Sequence, residues 1–431
     1  MTDKEKTIIK ELYKRPFLRP LLFWITGILL QVCFPLQIIS FVLPAVVLII
    51  LLISFFSRKK RDKALFRSRW IWGVAFACIV VFMSIQATAL TEQRLSRGPQ
   101  PLGVLKLKAL ETQLYMVEKL DLLKLRDIDK NVLAAITVNY RLTMSREVRT
   151  WFSVTGVSHI LSVSGFHVAI VSAFINMSLF FLPKRKKLSK WLKYIITITC
   201  TWCFTFIAGL DVAAVRAAVM ITIYLTGRVI SHNPDRYNTL SGAAFCMLVY
   251  NPFYLFNIGF QLSYTAVFFI LYLQPRISSL LEIRNPILSV PWNILTVTFS
   301  AQTGTIFLCS YYFGYTSTVF FFTNLYMSIV TTLLIPMTLI WMILPLSVPG
   351  MDLLQAAIET ITNSMMWVIE RFAAMPWASI PIRFDFFTLI FSYISLGLFL
   401  MYLHSKNYRL LFSVLTALLI ILCWHLIQLT N

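Results

Sequence analysis

Charge is what this sequence has least of. Asp, Glu, Lys and Arg make up 13% of its 431 residues, about half of the roughly 25% found in a soluble domain. Acid is the scarcer sign, with 18 Asp and Glu against 39 Lys and Arg. Histidine occurs only as His159, His167, His232, His404 and His425. None lies in H-E-x-x-H or H-x-H-x-D, so no catalytic metal site is expected, and no cofactor is called for. The absence of a G-x-x-x-x-G-K-[ST] loop excludes nucleotide hydrolysis by a P-loop. All seven cysteines sit in apolar runs, so no secreted disulfide framework is implied. Cys200 and Cys203 have redox spacing but no βαβ surroundings, and are assigned to packing. The basic, then apolar N-terminus has no small-residue cleavage site, and Val32 before Cys33 is too large for a lipoprotein signal. The first helix is therefore expected to be a retained anchor.

What is present is apolar. Hydrophobic residues reach 58%, and mean hydropathy is +0.75. Runs at roughly 18–39, 41–56, 70–90, 159–182, 191–210, 212–230, 239–250, 258–273, 288–312, 317–345, 353–375, 386–403 and 408–429 approach the ~20 residues a bilayer crossing needs. The period-2 alternation of a membrane β-barrel is missing. The chain therefore reads as an all-α polytopic membrane protein with about eleven transmembrane helices. Some are short or broken by Pro35, Pro252, Pro286, Pro291, Pro336 and Pro345. The net charge of +21 gathers in short clusters beside apolar runs: Lys4 to Arg19, RKKRDK at 58–63 and KRKK at 184–187. That is the positive-inside pattern, so the charge is weak evidence for nucleic acid. It puts the N-terminus in the cytoplasm and 91–150 outside. The expected organisation is N-terminal helices over 1–90, a short extracytoplasmic amphipathic segment over 91–150, a membrane core over 151–345 and C-terminal helices over 346–431.

Ionisable groups inside membrane segments cost about 2.5–3.5 kcal/mol each on insertion scales, which makes them functional candidates. Three sets stand out. HILSVSGFHVAIV at 159–171 holds His159, Ser162, Ser164, Gly165 and His167. In a regular helix His159 and Ser162 share a face with His167 at its edge, while Gly165 and the serines weaken that regularity. A polar pore wall and a close helix contact both fit. GLDVAAVRAAVM at 209–220 carries Asp211 and Arg216 on an alanine-rich helix. Arg216 is suited either to an anionic substrate or to an ion pair with Asp211, Glu359 or Glu370. NPFYLFNIGFQLSYTAV at 251–267 places Asn257, Gln261 and Ser263 in an apolar setting. There they could touch substrate or knit helices together. A serine protease built on Ser164 with His159 or His167 lacks any visible oxyanion device.

These blocks resemble the competence domain of ComEC-type competence proteins, the inner-membrane channels of natural DNA uptake. HILSVSGFHVAIV resembles the family's H-L-L-A-I-S-G-L-H-V signature and follows the lead-in SREVRTWFSVTGVS. AGLDVAAVRAAVM is similar to A-G-x-x-x-S-x-x-R-A-x-x-M, with Arg216 at its arginine. LVYNPFYLFNIGFQLSYTAV is similar to N-P-x-x-L-x-x-x-G-F-Q-L-S-x-x-A-V. The resemblance covers about 131–275. It implies a non-enzymatic channel in the bacterial inner membrane that passes single-stranded DNA, lined by His159, Ser162, Ser164, Gly165, His167, Asp211, Arg216, Asn257, Gln261 and Ser263. Where the family carries an OB-like domain, only 91–150 is available, and no H-x-H-x-D-H nuclease motif follows the last helix. Val212, Ala213 and Ala214 replace the serine-bearing part of the arginine block. The implied partners are single-stranded DNA, the lipid bilayer, and a separate nuclease, DNA receptor and cytoplasmic helicase. The competing expectation is a repurposed transporter or scaffold that no longer moves DNA.

Overall fold

The computed structural model describes residues 15–34, 49, 69–98, 103–182, 187–230 and 235–430. The basic cluster at 58–63, nearly all of the 41–56 run and His232 lie outside the described residues, as does the side chain of His425. The helices among these residues run in chain order as α1 Leu18–Cys33, α2 Arg69–Ser96, α3 Val104–Lys119, α4 Asp127–Val138, α5 Arg146–Val154, α6 Gly165–Ser178, α7 Lys187–Ile207, α8 Val212–Ile230, α9 Arg236–Tyr250, α10 Ile258–Ser278, α11 Pro286–Phe313, α12 Phe320–Ile343, α13 Met351–Ala373, α14 Phe386–Ser405 and α15 Tyr408–Thr430. Two strands of three residues, β1 Tyr315–Ser317 and β2 Ser379–Pro381, pair antiparallel with Thr316 opposite Ile380. The protein is an all-α polytopic membrane protein. Among the described residues five helices are long and apolar enough to cross a membrane: α2, α8, α10, α12 and α14. Shorter apolar helices accompany them in α1, α6 and α15.

The chain divides into two compact units, each built from two separate stretches. The first joins residues up to Glu118 to Val163–Tyr264. Its core gathers Trp24, Ile28, Val80, Ala244, Met247, Leu248 and Phe260. α1 and α2 cross closely because position 27 is glycine. A Cβ there would stand 2.6 Å from Ser84 Cβ and 2.7 Å from the Val81 carbonyl oxygen. The Ser84 hydroxyl donates to Trp24 O at 2.6 Å, and the Trp24 indole donates to Leu248 O at 3.1 Å, tying α1 to both neighbours. Gly27→Ala is therefore expected to destabilise this packing by about 1–3 kcal/mol, the range for an overpacked core. The thermal midpoint of the purified protein in detergent measures it, and a midpoint equal to wild type would refute the close crossing. α7 and α8 form an antiparallel pair laced by polar contacts. Trp202 donates to Thr222 at 3.2 Å, Tyr194 and Thr226 are bonded at 3.0 Å, and Lys190 donates to Val229 O at 3.1 Å. Such bonds compensate for the missing hydrophobic drive between helices in lipid. α6 packs against both α7 and α8.

The second unit joins Lys119–Ser162 to Thr265–Asn431. In α12, 56% of the apolar window is buried, against 17–28% in the other four candidate spans. Protein rather than lipid therefore surrounds much of it. α4, α11 and α13 pack on it, and α5 packs on α13. α4 is buried without a break from Val132 through Val138 and ends at Asn139, whose left-handed φ of 63° suits asparagine at a helix C-terminus. α13 shows why the 353–375 run is less membrane-like than its length suggests. Its acids serve the chain segment before α4. The Lys124 N–H donates to Glu359 at 2.7 Å, and Arg126 donates to Glu370 at 2.9 Å. Lys119 reaches the Met342 carbonyl oxygen at 2.8 Å.

Candidate functional site

The SVSGFH stretch is a helix start rather than a helix interior. Leu161–Ser164 is not helical, and α6 begins at Gly165 with Ser164 as N-cap and His167 at the third position. The Ser164 N–H donates to His167 Nδ1 at 3.3 Å, and the Ser164 hydroxyl lies 2.9 Å from the same nitrogen. This is a capping box with imidazole in the usual Glu or Gln place. A ring nitrogen that accepts an amide N–H carries no proton, so this hydrogen-bond pattern assigns neutral His167 to the Nε2–H tautomer. The ring is fully buried, while Gly165 and Phe166 are exposed. A Cβ on Gly165 would meet the Ala217 methyl at 3.8 Å, ordinary contact, so α6 starts directly over α8.

The turn into α8 is strained. Gly209 and Leu210 have φ of +73° and +50°, and a left-handed leucine costs about 1–2 kcal/mol. Buried Gln113 of α3 covers this turn, with its amide 3.1 Å from where a Gly209 Cβ would be. Asp211 then caps α8, accepting the Ala213 N–H at 3.1 Å. The cap starts a helix whose buried face is Ala214, Arg216, Ala217 and Ala218. The small residues let neighbours close over the arginine, which is 4% exposed.

Arg216 Nη2 donates to Gly259 O and to Ser263 Oγ, each at 3.1 Å, and the Ser263 hydroxyl donates to Gly259 O at 2.6 Å. Gly259 was not legible as a site residue. Its missing side chain is needed, because a Cβ would lie 3.3 Å from Arg216 Nη2 and 3.2 Å from Asn257 Oδ1. Asn257 starts α10 by accepting the Phe260 N–H at 3.1 Å, and Gln261 donates to Leu255 O at 3.0 Å. Among the described residues no carboxylate ion-pairs with Arg216. The acids considered in the sequence as its partners from α13, Glu359 and Glu370, are engaged by Gln355 and Arg126.

The first unit thus brings together Ser164, Gly165, His167, Asp211, Arg216, Asn257, Gln261 and Ser263 within α6, α8 and the start of α10. His159 and Ser162 belong to the second unit. His159 is exposed on a 3-10 turn over Ser158–Ile160, and Ser162 is half-buried just beyond it. Among the described residues no group of three or more His, Cys, Asp or Glu could hold a metal ion. What the arrangement can do chemically is donate hydrogen bonds beside a buried positive charge.

The model of a family described as "Competence protein" matches residues 136–407. ComE operon protein 3 of Bacillus subtilis (strain 168) is 30% identical over 142 residues, spanning 32% of this chain and 17% of that relative. No solved structure matches the chain.

Proposed function

The chain belongs to the competence protein family, whose model matches more than half of it, and from that premise we propose that it carries single-stranded DNA across the bacterial cytoplasmic membrane during natural transformation. The N-terminus is on the cytoplasmic side in this reading. The observation that carries it is Arg216, a cation buried among apolar helices whose hydrogen bonds go to the neutral oxygens of Gly259 and Ser263, with no direct ion pair among the described residues. A buried unpaired charge is costly, and a passing polyanion is the partner that would repay it. In the first unit Ser164, Gly165, His167, Asp211, Asn257, Gln261 and Ser263 offer the strand further polar contacts, and in the second His159 and Ser162 do. Each is weak enough for the strand to leave, as conduction requires. Exposed Phe166 offers a face on which bases stack regardless of sequence. The chemistry is binding and release. The bilayer is the permanent partner, and a nuclease, a DNA receptor and a cytoplasmic helicase are the further activities the pathway calls on.

The test is transformation of a competent strain deleted for its own channel. The wild-type chain is expected to restore recombinants from marker DNA, with or without an added nuclease. Arg216→Gln is expected to lower them about 10- to 100-fold, the worth of one charge-assisted hydrogen bond. No recombinants from a wild-type chain shown to be in the membrane would overturn the reading. So would full activity of Arg216→Gln for Arg216 as a DNA contact.

A further inference from the structure

In the second unit α12 and α13 pack against each other as an antiparallel pair, joined by residues 344–350. Far from that turn the Tyr326 and Ser364 hydroxyls meet at 2.6 Å. α12 has the length and composition of a membrane crossing, so α13 lies at membrane depth beside it. Yet α13 does not have the surface of a lipid-facing helix. With 3.6 residues per turn, Asp352, Gln355, Glu359, Asn363 and Glu370 fall within about 80° of one another. They form a polar stripe about 27 Å long. Asp352 and Asn363 are exposed, and the other three are half-buried. The chain before α4 runs up this stripe. Lys119 holds Met342 O at the turn end of α12, and Gln355 reaches Leu122 O at 3.4 Å. The Lys124 N–H then donates to Glu359, and Arg126 donates to Glu370. Between α3 and α4 this chain has one 3-10 turn, Leu120–Leu122, and otherwise irregular backbone. Such backbone is tolerated at membrane depth only where protein buries it or where it lines a water-filled cavity. Protein does not bury this stretch, because Asp121, Leu122, Lys124 and Arg126 are exposed. Charged groups are costly in hydrocarbon, so lipid is not what they face. Glu359 adds to the case. Its donors, the Lys124 N–H and the Gln355 amide, are neutral, and it makes no ion pair among the described residues.

We propose that the polar stripe of α13 and the chain Leu120–Arg126 are the two walls of a narrow water-filled cleft that enters the membrane beside α12. The cleft runs from Glu370 at least as deep as Glu359. The stretch before α4, expected outside the membrane, is then a re-entrant wall at this point. Its occupant is water with the small ions dissolved in it. The lining carries Lys124 and Arg126 against Asp121, Asp352, Glu359 and Glu370, so it offers a polyanion no continuous basic track. The cleft belongs to the second unit alone and does not depend on Arg216 as a DNA contact.

The test is thiol accessibility of the full chain in lipid vesicles opened to reagent on both sides. Lys124→Cys and Asn363→Cys place a thiol on each wall. Lys124→Cys keeps the backbone N–H that holds Glu359, so it is expected to fold. If it does not, Asn363→Cys decides alone. Leu333→Cys is the lipid control, an exposed position in the middle of α12. The native cysteines are the background, read from the wild-type chain. The probe is a small, permanently cationic methanethiosulfonate, which reacts with thiolate and does not enter hydrocarbon. Both cleft thiols are expected to react at least about tenfold faster than the thiol at position 333, where apolar surroundings raise the thiol pKa. A maleimide carrying a long polyethylene glycol chain is expected to label the cleft thiols poorly, because the cleft is narrow. Reaction no faster than at position 333 would overturn the proposal and put lipid or protein on this face. Equal labelling by the bulky maleimide would also overturn it, because the face would then be open surface outside the membrane. Disulfide-linked dimers formed through position 124 or 363 would overturn it in favour of a second copy of the chain.

Discussion

Arg126→Ala is expected to destabilise the second unit by about 1–3 kcal/mol, the cost of leaving the buried Asp129 acceptor without its donor; the arginine is 58% exposed, so solvent offsets part of the loss. The Asp129 side chain is fully buried and receives Arg126 Nε and Nη2 at 2.8 and 3.0 Å. Arg126 Nη2 also reaches Glu370 of α13 at 2.9 Å. Hydrogen bonds donated to Asp129 and then to Glu370 raise the guanidinium pKa further above its ordinary value, so the cation persists at any working pH. Without Arg126 the carboxylate is left in the interior with no donor for its charge. Glu370→Gln is the contrast. That acid is partly exposed, and its loss is expected to cost less than about 1 kcal/mol. Thermal midpoints in detergent measure both. The double change Arg126→Met with Asp129→Leu is expected to recover much of the loss, because the penalty lies in the stranded charge. An Arg126→Ala protein as stable as wild type would show that Asp129 is not sealed from water.

Gly156→Ala is expected to cost roughly 2–5 kcal/mol. About 1–2 come from forcing a side chain into left-handed backbone, and about 1–3 from overpacking. Gly156 has φ +79°, and its Cβ would lie 2.8 Å from the Cβ atoms of both Ser317 and Phe320. It ends α5 where Thr155 O accepts the Thr323 hydroxyl at 2.7 Å, so β1 and α12 are both pressed against the turn. Gly350 has a similar φ, +90°, with nothing within 4 Å. Gly350→Ala should therefore show only the backbone cost. Equal losses at the two positions would mean that the clash at Gly156 is relieved by small shifts. A drop in midpoint several times larger at Gly156 would confirm the close approach.

Helix starts were written locally. Asn285 followed by Pro286 opens α11, Asp385 opens α14 and Ser145 opens α5, each through a side chain that accepts a backbone N–H. The SVSGFH stretch was harder. Its apolar composition continues into α6 and suggests a helix from 159, yet Ser164 with His167 makes a cap, and a cap ends any helical face drawn across it. Proline misled in the other direction. Pro291 and Pro336, read as breaks in their runs, both lie inside helices, and packed neighbours make such interruptions tolerable in a membrane bundle. The three polar blocks were visible because polar groups are rare in apolar runs. Their partners were not. Nothing in the spacing of Gly259 and Ser263 says that an arginine 43 residues earlier will close on them.

The amino-acid sequence by itself determined the all-α membrane architecture, the caps and the short set of polar residues. Hydropathy, capping and insertion cost all act within one helix length of chain. Only the tertiary structure decided that Glu359 and Glu370 serve the chain before α4 while Arg216 keeps neutral partners. It likewise decided that α12 is sheathed by protein, and that Gly27 and Gly156 are places where no side chain fits. Those outcomes depend on which helix faces meet, and the free energy that selects them comes from contacts between residues distant in the chain.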